Sequence, residues 1–336
     1  MKIKSLNIKN FKSIVDITIE EPGNFSVFVG PNASGKSNIF EALEIVDFIQ
    51  NDESFEEVFN IYGEYRDLLN KKKTKDDAIY FGLVGIIDEK KVSFRTEITN
   101  DSARRFPTID ISQAKDYKAS YTNKAFTLFS SLFDNFQTMF IGKSSKSHQQ
   151  YKAGRVLDYS ASNLALVLKR LLSNGKEDEL IELISLFVPG FENIEVSQDS
   201  LSGEVGILVY DKNYEKPFSK ELISDGTYNI LALITAVLQT DEPQFLLIEE
   251  PENGLNPKAI KELVHFFREQ CEEKGHYIWL ASHSQTLVSE LKPQELILTD
   301  KIHGETKIKQ FKDIDLHGMK LDEAWLSNVL GGGLPW

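Results

Sequence analysis

Eight consecutive residues have the types and spacing that bind a phosphate chain. Gly30-Pro31-Asn32-Ala33-Ser34-Gly35-Lys36-Ser37 fits the pattern G-x-x-x-x-G-K-[ST] at every fixed position. Glycine at both ends lets successive backbone N–H groups turn toward an anion, Lys36 can reach the β- and γ-phosphates, and the Ser37 hydroxyl can ligate Mg²⁺. A buried strand at 25–29 and a helix that opens at Asn38 flank the loop, so we expect residues 30–38 to bind a nucleoside triphosphate.

Acidic residues follow a second apolar run. Phe245-Leu246-Leu247-Ile248 predicts a parallel strand buried on both faces, and Glu249 and Glu250 lie at its carboxyl end, the edge where open α/β sheets bind ligands. We expect Glu249 to hold Mg²⁺, directly or through water, and Glu250 to orient or deprotonate the attacking water. The alternative is that these acids merely cap the next helix, which Asn256-Pro257 begins.

Two further positions complete the candidate site. His283 follows a third predicted strand, 277–281, so the same edge rule places it near the γ-phosphate; the alternative is a plain turn residue. Ser224, Asp225 and Gly226 open an apolar helix over 228–238 and predict a second helix N-terminus that binds an anion, against the alternative of a simple helix cap.

The elements that must position these residues are those of an α/β domain. The expected order is two or three strands over 1–29 with a break at 10–14, a helical stretch over 52–70, a hairpin of 78–87 and 91–99 around a turn at 88–90, a mainly helical block over 125–187, and strand pairs over 192–209 with a turn at 202–203. The run Lys71-Lys72-Lys73-Thr74-Lys75 is either a solvated loop or a contact to a nucleic-acid backbone.

Composition limits the classes of function. The chain has 336 residues, 41% of them hydrophobic, and a net charge of −13, which argues against a broad basic surface around nucleic acid. We therefore expect DNA binding to be weak and local. Cys271 is the single cysteine, so we expect an inert thiol, no disulfide and a cytoplasmic location. No apolar stretch approaches the roughly 20 residues that span a bilayer, so we expect no membrane contact.

Five segments resemble the ABC-type ATPases of the SMC, RecF and OLD branch, in particular small stand-alone AAA-family ATPases of bacterial defence and mobile-element gene clusters. They are "IKSLNIKNFKSI", "GPNASGKSN", "ISDGTYN", "LLIEEPENGLNP" and "LASHS". The resemblance implies ATP at Gly30–Ser37, a signature at Ser224 and Gly226 against the partner's γ-phosphate, Glu250 as catalytic base and His283 as switch histidine. It also implies a loop, 252–255, that links the two sites of a homodimer closed across ATP.

The chain departs from the family pattern at several positions. The signature is short, Asn256 stands where many relatives have histidine, and Gln137 is a weak candidate for the glutamine loop. Glu249 replaces the usual aspartate, and its extra methylene allows for slow hydrolysis because Mg²⁺ needs near-ideal octahedral geometry. Because only a few dozen residues follow His303, we expect an ATPase without the nuclease domain found in OLD proteins.

We thus expect an ABC-type α/β head with a mixed sheet, an antiparallel β subdomain, a short helical insertion and no long coiled coil. It is one domain, 1–336, with a phosphate-loop and β lobe at 1–124, a helical insertion with hairpins at 125–222, a signature and switch lobe at 223–300 and a hairpin and tail at 301–336. The expected function is that of an ATP-hydrolysing dimer that drives or gates a separate nuclease or toxin effector, or a DNA transaction, in bacterial anti-phage defence or DNA maintenance. The alternatives are a transporter's nucleotide-binding subunit and an ATP-sensing switch with very slow hydrolysis.

Overall fold

The computed structural model describes residues 2–50, 55–87, 90–100, 102–109, 133, 135–141, 156–198, 205–316 and 318–334. The strands are β1 (Lys2–Phe11), β2 (Ile14–Glu20), β3 (Phe25–Val29), β4 (Ile79–Ile87), β5 (Lys90–Thr99), β6 (Ser102–Ile109), β7 (Phe136–Phe140), β8 (Phe191–Gln198), β9 (Val205–Asp211), β10 (Phe218–Ser219), β11 (Phe245–Glu249), β12 (Tyr277–Ser282), β13 (Leu296–Ile302) and β14 (Glu305–Gln310). The helices are α1 (Lys36–Gln50), α2 (Phe55–Tyr62), α3 (Tyr65–Leu68), α4 (Leu164–Ser173), α5 (Glu177–Phe187), α6 (Asp225–Leu238), α7 (Pro257–Lys274), α8 (Gln285–Ser289) and α9 (Leu321–Leu326).

A mixed sheet in the order β14-β13-β3-β12-β11-β7 forms the centre of the fold. Its strands pair in parallel from β13 to β7, and only β14 is antiparallel. Every residue of β3 and β12 is buried, because helices or a second sheet cover both faces. The carboxyl ends of β3, β11 and β12 therefore meet at one edge of the sheet.

The two faces of this sheet belong to two separate apolar cores. Leu246 and Ile248 of β11 point into a core shared with α6 and α7, whereas Phe245 and Leu247 point into a core shared with α1 and β1. This alternation follows from the two-residue period of a strand. The second core also joins the central sheet to the antiparallel sheet β2-β1-β4-β5-β6.

The predicted α/β class, with a mixed sheet and an antiparallel β subdomain, is confirmed by this architecture. The predicted hairpin is confirmed as β4 and β5, although residues 88 and 89 of its turn lie outside the described residues. The longest helix among the described segments is α7, with 18 residues. No helix of the described chain is long and apolar enough to cross a membrane.

The mainly helical prediction for 125–187 is wrong in one place. Residues Phe136–Phe140 form β7, which pairs in parallel with β11 and closes that side of the central sheet. A short apolar run has no period that separates strand from buried helix, and here the pairing with β11 decides. The block's described remainder holds α4 and α5, while 125–132, 134 and 142–155 lie outside the described residues.

Other boundaries differ in detail. The helical stretch expected over 52–70 contains two short helices, α2 and α3. Its first residues, 52–54, lie outside the described residues. The strand pair expected over 192–209 is β8 and β9, and its turn at 202–203 also lies outside them. The lobe boundary drawn between 300 and 301 cuts through β13, whose pairing with β3 places the first half of the final hairpin in the central sheet.

Candidate nucleotide-binding site

The loop of residues 30–37 connects β3 to α1, as its sequence pattern predicts. Ala33 and Gly35 have left-handed backbone angles, with φ of 62° and 108°. A Cβ on Gly30 would lie 2.0 Å from the carbonyl oxygen of Thr299, and one on Gly35 would lie 2.0 Å from Thr306 Oγ1. Both fixed glycines are therefore required by close packing against the β13–β14 hairpin, in addition to any contact with a phosphate.

Thr306 connects this hairpin to the loop and to the first turn of the chain. Its hydroxyl donates to the carbonyl oxygen of Ser34 at 3.0 Å and lies 2.6 Å from the hydroxyl of Ser13. Asn38 donates its side-chain amide to the same Ser13 oxygen at 2.6 Å. Sequence reasoning missed Thr306, but Ser13 belongs to the "NFKSI" stretch that carries the family resemblance, and that signal pointed to this joint.

The Lys36 ammonium lies inside the loop. It donates to the carbonyl oxygens of Gly30 and Pro31 at 2.7 and 3.0 Å. Burial lowers the pKa of Lys36, and the nearby carboxylates of Glu250 and Glu249 oppose that shift. Lys36 is thus a partly desolvated cation at the base of the loop, where it can meet an incoming anion.

Ser37 and Glu249 are in direct contact, since the Ser37 hydroxyl donates to Glu249 Oε2. A serine hydroxyl beside a carboxylate at the end of a strand suits Mg²⁺, which takes few protein oxygens and completes its shell with water and phosphate. The extra methylene of Glu249 does not keep its carboxylate from Ser37. Within the described residues, no group of three histidine, cysteine or acidic side chains forms a protein-only metal site.

Glu250 has a backbone conformation that non-glycine residues seldom adopt, with φ of 48°. Its N–H continues the sheet by donating to the carbonyl of Ala281 at 2.8 Å, and Asn253 donates its side-chain amide to Glu250 Oε2 at 3.1 Å. His283 Nδ1 lies 3.5 Å from the other carboxylate oxygen. The structure therefore brings Glu250 and His283 together, as the edge rule predicts, and adds Asn253, which sequence reasoning missed.

Glu252 is the buried member of the acidic segment. Its Oε1 accepts from the Ser282 hydroxyl at 2.5 Å and from the His283 N–H at 3.4 Å, while its Oε2 has no partner in the described structure. Burial raises the pKa of Glu252, and the Ser282 hydrogen bond opposes the shift. Glu252 thereby links the loop after β11 to the backbone that carries His283.

The signature segment opens α6, with Ser224 as its cap. The Ser224 hydroxyl accepts from the Thr227 N–H at 3.1 Å, and Asp225 lies in the first turn. A Cβ on Gly226 would lie 2.3 Å from the carbonyl oxygen of Gly254, so this glycine is needed where the helix meets the loop 252–255. Asn229 reinforces that joint by donating to the carbonyl of Asn253.

Two cavities divide the predicted site residues. The first, about 390 Å³, is lined by residues of the phosphate loop and the start of α1, by Glu249 at the end of β11 and Glu250 just after it, by one residue of β12 and by one lysine of β13: Asn32, Ala33, Gly35, Lys36, Ser37, Asn38, Glu249, Glu250, Ala281 and Lys301. The second, about 170 Å³, is lined by Ser224, Gly226, Gly254 and neighbouring apolar residues. A single chain therefore presents the phosphate loop and the signature at separate places.

Gln137, the weak glutamine-loop candidate, lies in the core. It pairs with Leu246 in the sheet register, three residues before the level of Glu249. Its amide donates to the carbonyl of Leu157 at 2.7 Å, and its Oε1 accepts from Gln239 at 2.6 Å. Gln137 is thus a buried structural residue, and this geometry does not support a role at the phosphate.

Two lysines of the basic run, Lys71 and Lys72, have contacts within the chain. Lys72 donates to Glu305 at 2.6 Å and to the carbonyl of His303 at 3.1 Å, at the β13–β14 turn. Lys71 lies near Asp67, at 3.8 Å. Part of the positive charge of this run is therefore neutralised within the chain, which favours the solvated-loop interpretation over a nucleic-acid contact.

Residues 25–289 match the protein family described as "AAA domain, putative AbiEii toxin, Type IV TA system". Among curated proteins, the chain is 31% identical over 110 residues to a Pyrococcus horikoshii protein described as "Putative ABC transporter ATP-binding protein". That match covers 32% of this chain and 40% of the relative. The chain is also 39% identical over 46 residues to the DNA replication and repair protein RecF of Lactococcus lactis subsp. cremoris, and this match covers 14% of this chain and 13% of RecF. The chain thus spans less than half of either relative.

Solved structures show the same fold across nearly the whole chain. An Smc head bound to the C-terminal winged-helix domain of ScpA has a TM-score of 0.65 and 17% identity, covering 93% of this chain and 98% of that one. The SMC head domain from Thermotoga maritima has a TM-score of 0.56 and 15% identity, covering 93% and 100%. The predicted likeness to SMC, RecF and ABC-type P-loop ATPases is confirmed.

Proposed function

We propose, from the premise that the chain belongs to the AAA-domain family matched by residues 25–289, that it binds ATP with Mg²⁺ and hydrolyses it to ADP and phosphate. The observation that carries the proposal is the contact of Ser37 with Glu249 beside a phosphate loop whose lysine faces the same cavity. No packing need of the core explains two carboxylates and a buried ammonium at one edge of a sheet.

The residues of the cavity have distinct tasks in this proposal. Phosphate oxygens replace the loop carbonyls as acceptors for the Lys36 ammonium, and backbone N–H groups of the loop and of the first turn of α1 donate to the same anion. Ser37 and Glu249 would hold Mg²⁺, which supplies charge neutralisation for the β- and γ-phosphates when bound. These contacts fix the triphosphate with its γ-end toward Glu250.

Glu250 is proposed as the base for hydrolysis. Its carboxylate accepts a proton from the attacking water as the water oxygen bonds to the γ-phosphorus and the bond to the β-phosphate oxygen breaks. Asn253 holds one carboxylate oxygen, and the other lies 3.5 Å from His283 Nδ1. His283 can donate to a γ-phosphate oxygen and so report the presence of that phosphate to α8.

The signature does not line the cavity of the phosphate loop, and we propose that it completes that cavity in a second copy of the chain. Ser224 and Gly226 line a separate cavity, at the start of a long helix. A head-to-tail homodimer closed across two ATP molecules would bring each signature to the partner's γ-phosphate. The loop 252–255 touches both Gly226 and the backbone of His283, so it connects the two sites.

The decisive experiment on nucleotide binding is Lys36→Ala. Because the mutation removes a charge-assisted contact to phosphate, the affinity for ATP measured by calorimetry should decrease by at least about tenfold. Lys216→Ala, an exposed lysine on the β9–β10 loop, serves as the control of equal charge and should bind ATP like the wild type. Unchanged ATP affinity in the Lys36 variant would remove the loop from the site.

For the biological role, we propose a cytoplasmic ATPase that gates a separate nuclease or toxin in a bacterial defence or mobile-element system. The description of the matched family, which names a toxin and a toxin–antitoxin system, supports this direction. The test is whether the product of the adjacent gene copurifies with the chain in an ATP-dependent way. Absence of any nuclease or toxin from such complexes would contradict the role.

A transporter subunit is the second candidate, because the Pyrococcus horikoshii relative is described as a putative ABC transporter ATP-binding protein. It predicts that the chain fractionates with membranes through a permease. A third candidate, an ATP-sensing switch, differs only in rate. Steady-state phosphate release distinguishes it, since a switch would turn over far more slowly than the roughly 1–10³ s⁻¹ typical of enzymes.

A further inference from the structure

The β13–β14 hairpin carries a lysine that the proposed chemistry does not use. Lys301 lines the same cavity as the phosphate loop. Besides Lys36, it is the one cationic side chain on that cavity wall among the residues that the structure describes. Its backbone N–H donates to Asp300 Oδ1 at 2.7 Å, and within the same described residues no carboxylate pairs with its ammonium.

The register of the hairpin determines which way Lys301 points. Lys301 pairs directly with Thr306 across the hairpin, so the two side chains share one face of the sheet. Thr306 on that face contacts the phosphate loop at Ser34 and Gly35. Asp300 and Ile302 point to the opposite face, away from the loop.

The strand order places Lys301 opposite the catalytic acids. The loop follows β3, with β12 and β11 on one side and β13 on the other. Glu249 and Glu250 therefore face one end of a bound triphosphate, and Lys301 faces the other end. Since the γ-phosphate lies at the acidic end in the proposed function, the phosphates nearest Lys301 are those closer to the nucleoside.

The charges of the cavity favour a contact between the Lys301 ammonium and a bound phosphate. Glu249 and Glu250 line one end of the cavity with negative charge that a phosphate chain must also tolerate. A flexible ammonium without a protein partner is a ready donor to phosphate oxygen. We propose that Lys301 is a nucleotide-binding residue that contacts the α- or β-phosphate of a nucleoside di- or triphosphate, an inference that rests on the proposed function.

The test is calorimetric binding of ATP and of ADP to the full-length chain. Lys301→Ala should weaken both nucleotides by about fivefold to twentyfold, and by the same factor for each, because ADP retains the α- and β-phosphates. Lys301→Arg keeps the charge and should recover most of the affinity. The control is Lys307, which lies on the same hairpin but does not line the cavity. The Lys307→Ala variant should bind both nucleotides like the wild type.

Two results would overturn this inference alone. Wild-type affinity in Lys301→Ala, with ATP binding intact in the wild type, would show that Lys301 lines the cavity without touching the ligand. Weakened ATP with unchanged ADP would place the lysine at the γ-phosphate instead. If the wild type bound neither nucleotide, the proposed function itself would fail, and this inference with it.

Discussion

At the scale of single residues, the site gathers unfavourable features around one segment. Glu250 has a left-handed backbone, and Glu252 has a buried carboxylate oxygen, Oε2, that no group in the described part of the chain contacts by a hydrogen bond. Such features cost free energy and persist only where the surrounding structure imposes them. Here the imposing contacts are the sheet bond from Glu250 to Ala281 and the bonds to Ser282 and His283.

Glu252 makes the stability of the fold depend on pH. The pKa of its carboxyl is raised in the folded chain above the ordinary 4.5, so ionisation costs more in the folded state than in the unfolded one. Its cost is absent below about pH 4.5 and grows as pH rises through the folded pKa. We therefore expect the stability of Glu252→Gln, relative to wild type, to increase between pH 4.5 and pH 8.

Urea denaturation at both pH values measures this difference. Glu242→Gln, an exposed carboxylate on the loop before β11, is the matched control and should show no such change with pH. An equal offset between Glu252→Gln and wild type at pH 4.5 and pH 8 would contradict the pH argument, because a purely structural defect of the amide does not titrate.

At the scale of elements, glycines set how closely neighbouring segments approach. The loop glycines Gly30 and Gly35 admit the β13–β14 hairpin, and Gly226 admits the carbonyl of Gly254. The loop 30–37 and the start of α6 are thus held by close packing against other segments. The final hairpin, which lies more than 250 residues after the loop, packs directly against it.

Gly226→Ala tests the joint between α6 and the loop 252–255. An alanine in a helix normally gains up to about 1 kcal/mol over glycine. Here its Cβ meets the backbone oxygen of Gly254 at 2.3 Å, so we expect a loss of about 1–3 kcal/mol in the free energy of unfolding. Urea denaturation measures it.

The control for this substitution is Gly206→Ala. An added Cβ there lies no closer than 3.4 Å to its nearest neighbour, Ser197 Oγ. Its stability should remain within about 0.5 kcal/mol of wild type, as for surface changes in general. Equal stability of the two variants would mean that the close approach of Gly226 and Gly254 carries no energetic weight.

At the scale of the whole molecule, the separation of the two cavities gives the dimer proposal its test. Glu250→Gln keeps shape and hydrogen bonding but loses the base, so hydrolysis should decrease by about 100-fold or more and an ATP-bound dimer should accumulate. Ser224→Arg should bind ATP and remain monomeric, because its long side chain blocks the start of α6 from a partner. Light scattering with ATP and Mg²⁺ measures both masses.

Each variant has one result that would contradict the composite site. Wild-type turnover by Ser224→Arg would show that the signature takes no part in hydrolysis. A constant mass for Glu250→Gln with and without ATP would argue against closure by nucleotide, unless the chain is already an oligomer, which the scattering of the nucleotide-free protein reveals.

Local sequence determined the parts of this site whose chemistry lies within a few neighbouring residues. The phosphate loop, the acidic end of β11, the cap at Ser224 and the position of His283 all follow from apolar runs and from short spacings that set backbone direction. The α/β class followed as well, because alternating buried strands and amphipathic helices admit few arrangements, whereas the ABC-type head was expected from the resemblance of five short segments.

Tertiary structure decided what depends on residues distant in the chain. The assignment of 136–140 to a strand required a partner in β11, and the core position of Gln137 followed from that register. The reasons for Gly30, Gly35 and Gly226 lie in carbonyls and hydroxyls of other segments, and the placement of Lys301 beside the loop follows from its pairing with Thr306. No local pattern encodes such contacts, since they form only when strand order brings separate segments together.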